Sequence, residues 1–223
     1  MKRILVYIFF CLFISNISGQ NIGLSGGIIR NNFFDLQKQE DTPYSANYTP
    51  GYGYSFGICL SDFKLDDLPM EASIGIETYK GKFMNAYQGL GGANKTEADV
   101  EKTNIVIGIY PYNFSVSKKI KLSLGGQFSF KIHDRTTGYK SYWTVAWPYP
   151  THINIENDSV KINKNFFLGF SGKVRYDFRI VKDWCISPQY RFYFGITKEF
   201  INTEAIIRSM RHNFEIVLSK RIK

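Results

Sequence analysis

The sequence predicts an all-β fold: an eight-stranded antiparallel up-and-down transmembrane β-barrel with short periplasmic turns and long external loops. Three observations carry that expectation. Apolar side chains recur at every second position through most of the chain, most clearly in Ile120-Lys121-Leu122-Ser123-Leu124-Gly125-Gly126-Gln127-Phe128-Ser129-Phe130-Lys131. A period of two means a strand with one oily and one wet face. The N-terminus has the three parts of a secretory leader: Met1-Lys2-Arg3, an apolar run over 4–14, and Ser15-Asn16-Ile17-Ser18-Gly19. The connections between alternating segments are long and short in turn, as in barrels whose turns and loops face different compartments.

The leader's apolar run is 11 residues, short of the ~20 that a membrane helix needs. Residues 1–19 are therefore read as a signal peptide cleaved near Gly19-Gln20, and 20–223 as one barrel domain. Cys11 has no lipobox before it. No other stretch approaches ~18 apolar residues, which excludes a helical membrane protein. Without Lys2 and Arg3, 26 basic residues face 19 acidic ones and the formal charge falls from +9 to +7. The basic residues are scattered singly, with no Lys/Arg run or zinc-finger spacing, so nucleic acid is not expected as a partner. Outer-membrane lipids and lipopolysaccharide phosphates are. The two cysteines beyond the leader, Cys59 and Cys185, make neither a disulfide framework nor a metal cluster; no metal or cofactor is expected. Aromatic residues are 17% of the chain, in keeping with the girdles of membrane barrels.

The first strand is read over 22–33, followed by a polar loop over 34–50. The second, 51–62, puts Tyr52, Tyr54, Phe56, Ile58 and Leu60 on one face and Gly53, Ser55, Gly57, Cys59 and Ser61 on the other. A turn over 63–69 leads to the third strand, 70–81, where Ala72, Ile74 and Ile76 oppose Glu71, Ser73, Gly75 and Glu77. A Gly-rich loop is expected over 82–101. The fourth strand, 102–114, carries Ile105, Ile107, Ile109 and Pro111 on one face, and the tight connection 115–118 leads to the fifth, 119–132. The longest loop, 133–159, precedes the sixth strand, 161–179. A turn at Val181-Lys182-Asp183, a seventh strand over 184–196, a loop over 197–205 and an eighth strand over 206–221 complete the count. An eight-stranded soluble barrel with an apolar lumen is the alternative. Two features oppose it: the apolar face is too wide and aromatic for a small interior, and the other face mixes Gly and Ser with charges of both signs.

Three stretches resemble the PorT-type, OmpX-like class of small outer-membrane β-barrels: Gly23-Leu24-Ser25-Gly26-Gly27; Asn104-Ile105-Val106-Ile107-Gly108-Ile109-Tyr110-Pro111-Tyr112-Asn113-Phe114; and Leu122-Ser123-Leu124-Gly125-Gly126-Gln127-Phe128-Ser129. The resemblance covers most of the chain after the leader and implies an outer-membrane location and a small-barrel fold. One departure is the end, Leu218-Ser219-Lys220-Arg221-Ile222-Lys223, where many such barrels finish on an aromatic residue.

Candidate chemistry is sparse. Gly23-Leu24-Ser25-Gly26-Gly27 matches a nucleophile elbow as text but lies in a strand, without the strand-turn-helix the elbow requires. Gly89-Leu90-Gly91-Gly92-Ala93-Asn94-Lys95-Thr96 is P-loop-like but has Asn94 where the Gly before the Lys belongs. Ser209, three residues before His212, falls on the opposite strand face, so no rim Ser-His pair is expected. The loop carboxylates lack calcium-loop spacing. Tyr139, Tyr142, Trp143, Trp147 and Tyr149, stiffened by Pro148 and Pro150, form either an external contact surface for a protein or a glycan or an aromatic girdle. The charged residues Glu71, Glu77, Lys121, Lys131, Lys173, Arg175, Asp177, Arg191, Arg211 and Glu215 all lie on the wet parity. Eight strands enclose only enough space for side chains, so these charges must pair inside a plugged lumen. The reading is a monomeric, non-enzymatic outer-membrane barrel displaying external loops for binding or adhesion, or stabilising the envelope. An accessory subunit of a secretion or uptake machine and a rim-located lipid hydrolase are the alternatives.

Overall fold

The computed structural model describes residues 21–35, 44–65, 68–144, 147–156, 163–200 and 206–222. The expected leader, 1–19, lies outside them. Ten strands form one antiparallel sheet: β1 (Asn21–Phe34), β2 (Tyr44–Leu65), β3 (Leu68–Gly89), β4 (Gly92–Ser115), β5 (Ile120–Thr144), β6 (Trp147–Glu156), β7 (Phe166–Tyr176), β8 (Phe178–Val181), β9 (Trp184–Gly195) and β10 (Arg208–Arg221). The wall is a closed ring of eight: β1-β2-β3-β4-β5-β7-β9-β10, with β10 returning to β1 over the full register Asn21↔Arg221 to Phe34↔Arg208. The two further strands are accessories. β8 continues β7 beyond Asp177 and pairs with β9, so the expected sixth strand is one strand interrupted at Asp177. β6 lies outside the ring and pairs with β5.

The alternation decides which way each strand faces. On β5, Leu122, Leu124, Gly126, Phe128, Phe130 and Ile132 face outward, while Ser123, Gln127 and Ser129 are buried inside. At ~3.3 Å per residue and the ~35–45° tilt of membrane barrels, the outward run climbs ~25 Å, the height of a lipid-facing apolar band. Ile28, Tyr52, Tyr54, Phe56, Phe170, Phe214 and Ile216 continue the same exposed belt around the wall.

Pro111 departs from the expected face. The β4–β5 register slips between Ile109↔Gly126 and Tyr112↔Leu124. This bulge places two residues opposite one and accommodates a residue that cannot donate to the ladder. Beyond it the parity switches: Tyr112 and Phe114 face outward and Asn113 is buried. A second bulge follows Ser61, with Asp62 at φ 61°, the left-handed region that Asp tolerates better than most residues.

The expected loops over 82–101 and 133–159 are corrected by the structure. β3 and β4 run on through 82–101 and meet at the two-residue turn Leu90-Gly91. β5 continues to Thr144 and turns back into β6. With the 44–50 part of β2, these extensions form a five-stranded sheet rising above the wall. The segment expected as a loop over 34–50 is likewise strand from Tyr44 onward.

Cys59 and Cys185 are both free. They share one rung, Cys59↔Gly23↔Ser219↔Cys185. Three steps of ~4.8 Å put them ~14 Å apart along the wall, and a disulfide needs Cα atoms within ~7 Å. Thiol titration of the denatured, unreduced chain lacking residues 1–19 is expected to count two; a count of zero would contradict the strand order.

Candidate functional site

Two regions concentrate unusual chemistry: the interior and the sheet above it. Inside, near the short-turn end, Lys121 pairs with Asp62 (2.6 Å) and Asp177 (3.7 Å), and Arg175 with Asp177 (3.1 Å). One layer up, Glu71 takes Lys173 at 2.6 Å and Arg175 at 3.8 Å, and accepts from Ser123 Oγ. At mid-height Glu77 holds both Arg211 (2.5 Å) and Arg191 (2.7 Å). Arg191 also reaches Glu215 (2.6 Å), which accepts from Ser55 Oγ and Gln189 Nε2. Lys131 sits at the mouth on Asp134 (2.9 Å), apart from this network. Buried charge is tolerable only when paired and hydrogen-bonded, and six strands, β2, β3, β5, β7, β9 and β10, must meet across the lumen to supply these partners.

Sequence reasoning missed four members: Asp62, Lys102, Asp134 and Glu199. Lys102 follows the wet parity of its strand and was legible; Asp62 falls on the oily parity and reaches Lys121 only because of the bulge after Ser61. Glu199 was not legible either, because it lies in the segment expected as an external loop over 197–205. That loop instead turns into the barrel at its described start. Glu199 meets Lys102 (3.3 Å), Tyr79 Oη (2.9 Å) and Ser209 Oγ, all buried. Phe200 beside it packs against Phe33 (5.2 Å) and Phe83 (4.8 Å), with Lys102 Nζ 3.9 Å from its ring centroid. Ile29, Val100, Ile155, Phe167 and Ile207 complete an apolar cap over the charged layers. Below the cap, Arg211 stacks on Tyr193 at 3.8 Å. Among the described residues the remaining internal space includes a cavity of about 20 Å³ beside Ser25, Ser73 and Glu215, room for about one water.

The external sheet carries the aromatic candidates, which do not form one cluster. Tyr139 is held on its face by Lys95 Nζ donating to its oxygen and by its own hydroxyl donating to Glu97, both at 2.9 Å, with His152 edge-on at 6.1 Å. The Tyr139 hydrogen bond, then Lys95, keeps the Glu97 carboxyl below the usual carboxylate range. Tyr142 and Trp143, adjacent on β5, both line a shallow groove with Tyr87 and the Leu90-Gly91 turn. Tyr149 is exposed; the Trp147 side chain lies outside the described residues.

The remaining motifs have structural surroundings. Ser25 faces the small cavity. Gly27 sits where a Cβ would lie 2.1 Å from Phe214 O, so the Gly23–Gly27 match is a close strand crossing. The P-loop-like stretch is the β3–β4 turn and its flanks. Ser209 faces inward, whereas His212 faces outward and hydrogen-bonds Tyr190 Oη at 2.6 Å. The described residues contain no metal-ligand cluster.

No protein-family model matches the chain, and no curated protein matches it in sequence. The PorT-type part of the resemblance is thus without a matching family model. Among solved structures the chain is similar to Neisserial surface protein A, at 9% identity over 90% of this chain and 97% of that one, with a TM-score of 0.40. It is similar to Ail, the attachment invasion locus protein of Yersinia pestis, at 8% identity over 92% and 100%, with a TM-score of 0.39. It is also similar to the outer membrane protease OmpT of Escherichia coli, at 6% identity over 93% and 99%, with a TM-score of 0.35. At these values the fold stands on the chain's own closed hydrogen-bond ring.

Proposed function

We propose that this chain is an outer-membrane barrel without catalytic activity, whose sealed wall anchors the external sheet for binding or adhesion and stabilises the envelope. The observation carrying this reading is an inverted partition: ion pairs inside, an apolar belt outside, and a sheet projecting beyond the belt. In a soluble barrel that arrangement would leave large aromatic side chains in water around the whole circumference. The external faces of the sheet are polar, held by the cross-strand pairs Lys80–Glu101 and Lys82–Asp99 and by Lys95–Glu97 along β4, as suits a part that stands in water. The accessory-subunit reading draws on β6, which has no second strand neighbour among the described residues and so offers an edge that a partner strand can extend; a stoichiometric copurifying protein would favour it. The lipid-hydrolase reading needs a meeting of Ser and His that Ser209 and His212 do not make.

Membrane fractionation with gel migration before and after boiling tests the barrel: the outer-membrane fraction should hold a species that shifts on heating. On intact cells, external protease should cut at Leu90-Gly91, the fully exposed turn of the β3–β4 hairpin, and spare 115–119. Cutting at 115–119 alone would reverse the orientation.

A further inference from the structure

The two ends of the barrel treat their cations differently. On the external sheet, Lys80, Lys82 and Lys95 each have a carboxylate at 3.3, 2.8 and 3.1 Å. At the opposite rim Lys118, Lys119, Arg179, Lys182, Lys220 and Arg221 have no carboxylate partner among the described residues. They are contiguous in space: the β4–β5 turn, β8, the β8–β9 turn and the end of β10 are successive parts of the ring order β5-β7-β9-β10. The carboxylates nearest in sequence are otherwise engaged or set back. Asp62 and Asp177 turn inward to Lys121, and Asp183 is half-buried. Asp66 and Asp67 lie outside the described residues.

Apolar surface lies directly against these cations. Lys119 Nζ stands 5.9 Å from the Tyr176 ring centroid and Lys220 Nζ 5.6 Å from that of Trp184. Phe178, Ile180 and Val181 are exposed on the same arc. Lysine ammonium groups beside aromatic rings at the edge of an apolar wall, without a carboxylate partner among the described residues, match the level at which acyl chain gives way to headgroup phosphate.

We propose that this basic arc binds the phosphates of anionic phospholipid headgroups in the leaflet on the short-turn side, and so fixes the barrel's depth in the bilayer. The proposal rests on the membrane reading above. Each basic side chain near an anionic surface contributes about fivefold in association, so the arc as a whole makes a strong preference.

Trp184 is the reporter. Of the three tryptophans, Trp143→Phe and Trp147→Phe remove the other two. This chain is folded into phosphatidylcholine vesicles doped with tail-brominated phosphatidylglycerol or tail-brominated phosphatidylcholine, and Trp184 quenching is compared. Brominated phosphatidylglycerol should quench with an apparent association severalfold higher. That excess should vanish in 1 M salt, where the Debye length is about 3 Å, and in a further Arg179→Gln, Lys182→Gln, Lys220→Gln variant. Equal quenching by the two lipids, or an excess that survives salt, overturns the proposal. Quenching by neither lipid would instead sink the membrane reading. The gel shift on boiling reports whether the triple variant folds, and the salt titration on the unaltered arc decides the matter if it does not.

Discussion

Replacing Glu77 with Ala is expected to cost about 3–5 kcal/mol of barrel stability, the usual consequence of removing one partner from a buried charge pair. Glu77 is buried and is the only carboxylate paired with Arg211 among the described residues, Arg211 itself being fully buried; it also holds Arg191 and accepts from Asn213 Nδ2 at 3.1 Å. Without Glu77, Arg191 keeps Glu215, but Arg211 is left with Ser129 Oγ at 3.4 Å and the Tyr193 ring. The check is urea unfolding of the reconstituted protein, followed by the gel shift. The paired change Glu77→Leu with Arg211→Leu should be milder than Glu77→Ala, because removing both charges leaves none orphaned. A single-variant loss under ~1 kcal/mol would mean that water reaches the pair, contrary to a sealed lumen.

The second large effect concerns the outer face. Leu124→Arg and Phe170→Arg should each impair insertion by roughly 2–4 kcal/mol, the penalty for a cation near mid-bilayer. Phe170 is 66% exposed on the belt. Ser123→Ala and Ser171→Ala, one residue away in each strand, should cost about 1 kcal/mol for the lost hydrogen bonds to Glu71 and to Phe192 O. The measurement is the yield and urea midpoint of heat-modifiable protein in vesicles. Tolerated arginines with damaging alanines would invert the assignment of faces and favour a soluble barrel with an apolar lumen.

The wall was legible because every segment of it serves two solvents at once. A strand such as 122–132 must show oil to one side and polar groups to the other, so its period appears in the sequence. The extensions over 82–101 and 133–144 stand above the belt, where neither face needs to be oily throughout. Their alternation survives only in the inward Phe83, Ala98 and Val100, too sparse to distinguish from a loop. The Pro111 bulge hid a parity switch, since period-two counting assumes an unbroken register. Glu199 and Phe200 escaped for a different reason: nothing local in a short connection says that it turns into the barrel, and only the closed ring creates the space they fill. The lumen charges were identifiable by parity, but their partners depend on which strands face one another across the ring.

The β1–β10 seam joins the first described strand to the last, and this governs the order in which the molecule can be built. Until β10 arrives, β1 and β9 are raw edges, each able to recruit a foreign strand. The ion pairs have the same dependence. Glu71 and Glu77 are contributed early in the chain, whereas Lys173, Arg175, Arg191 and Arg211 come from β7, β9 and β10, separated from them by as many as 134 residues. A chain emerging from its N-terminus therefore carries unmatched carboxylates first and meets their cations only near completion. Native lumen pairing is consequently a late event with a large loop-closure entropy. Any helper that assembles this protein has to shield two open edges and a charged half-lumen together, and release them in a single closing step.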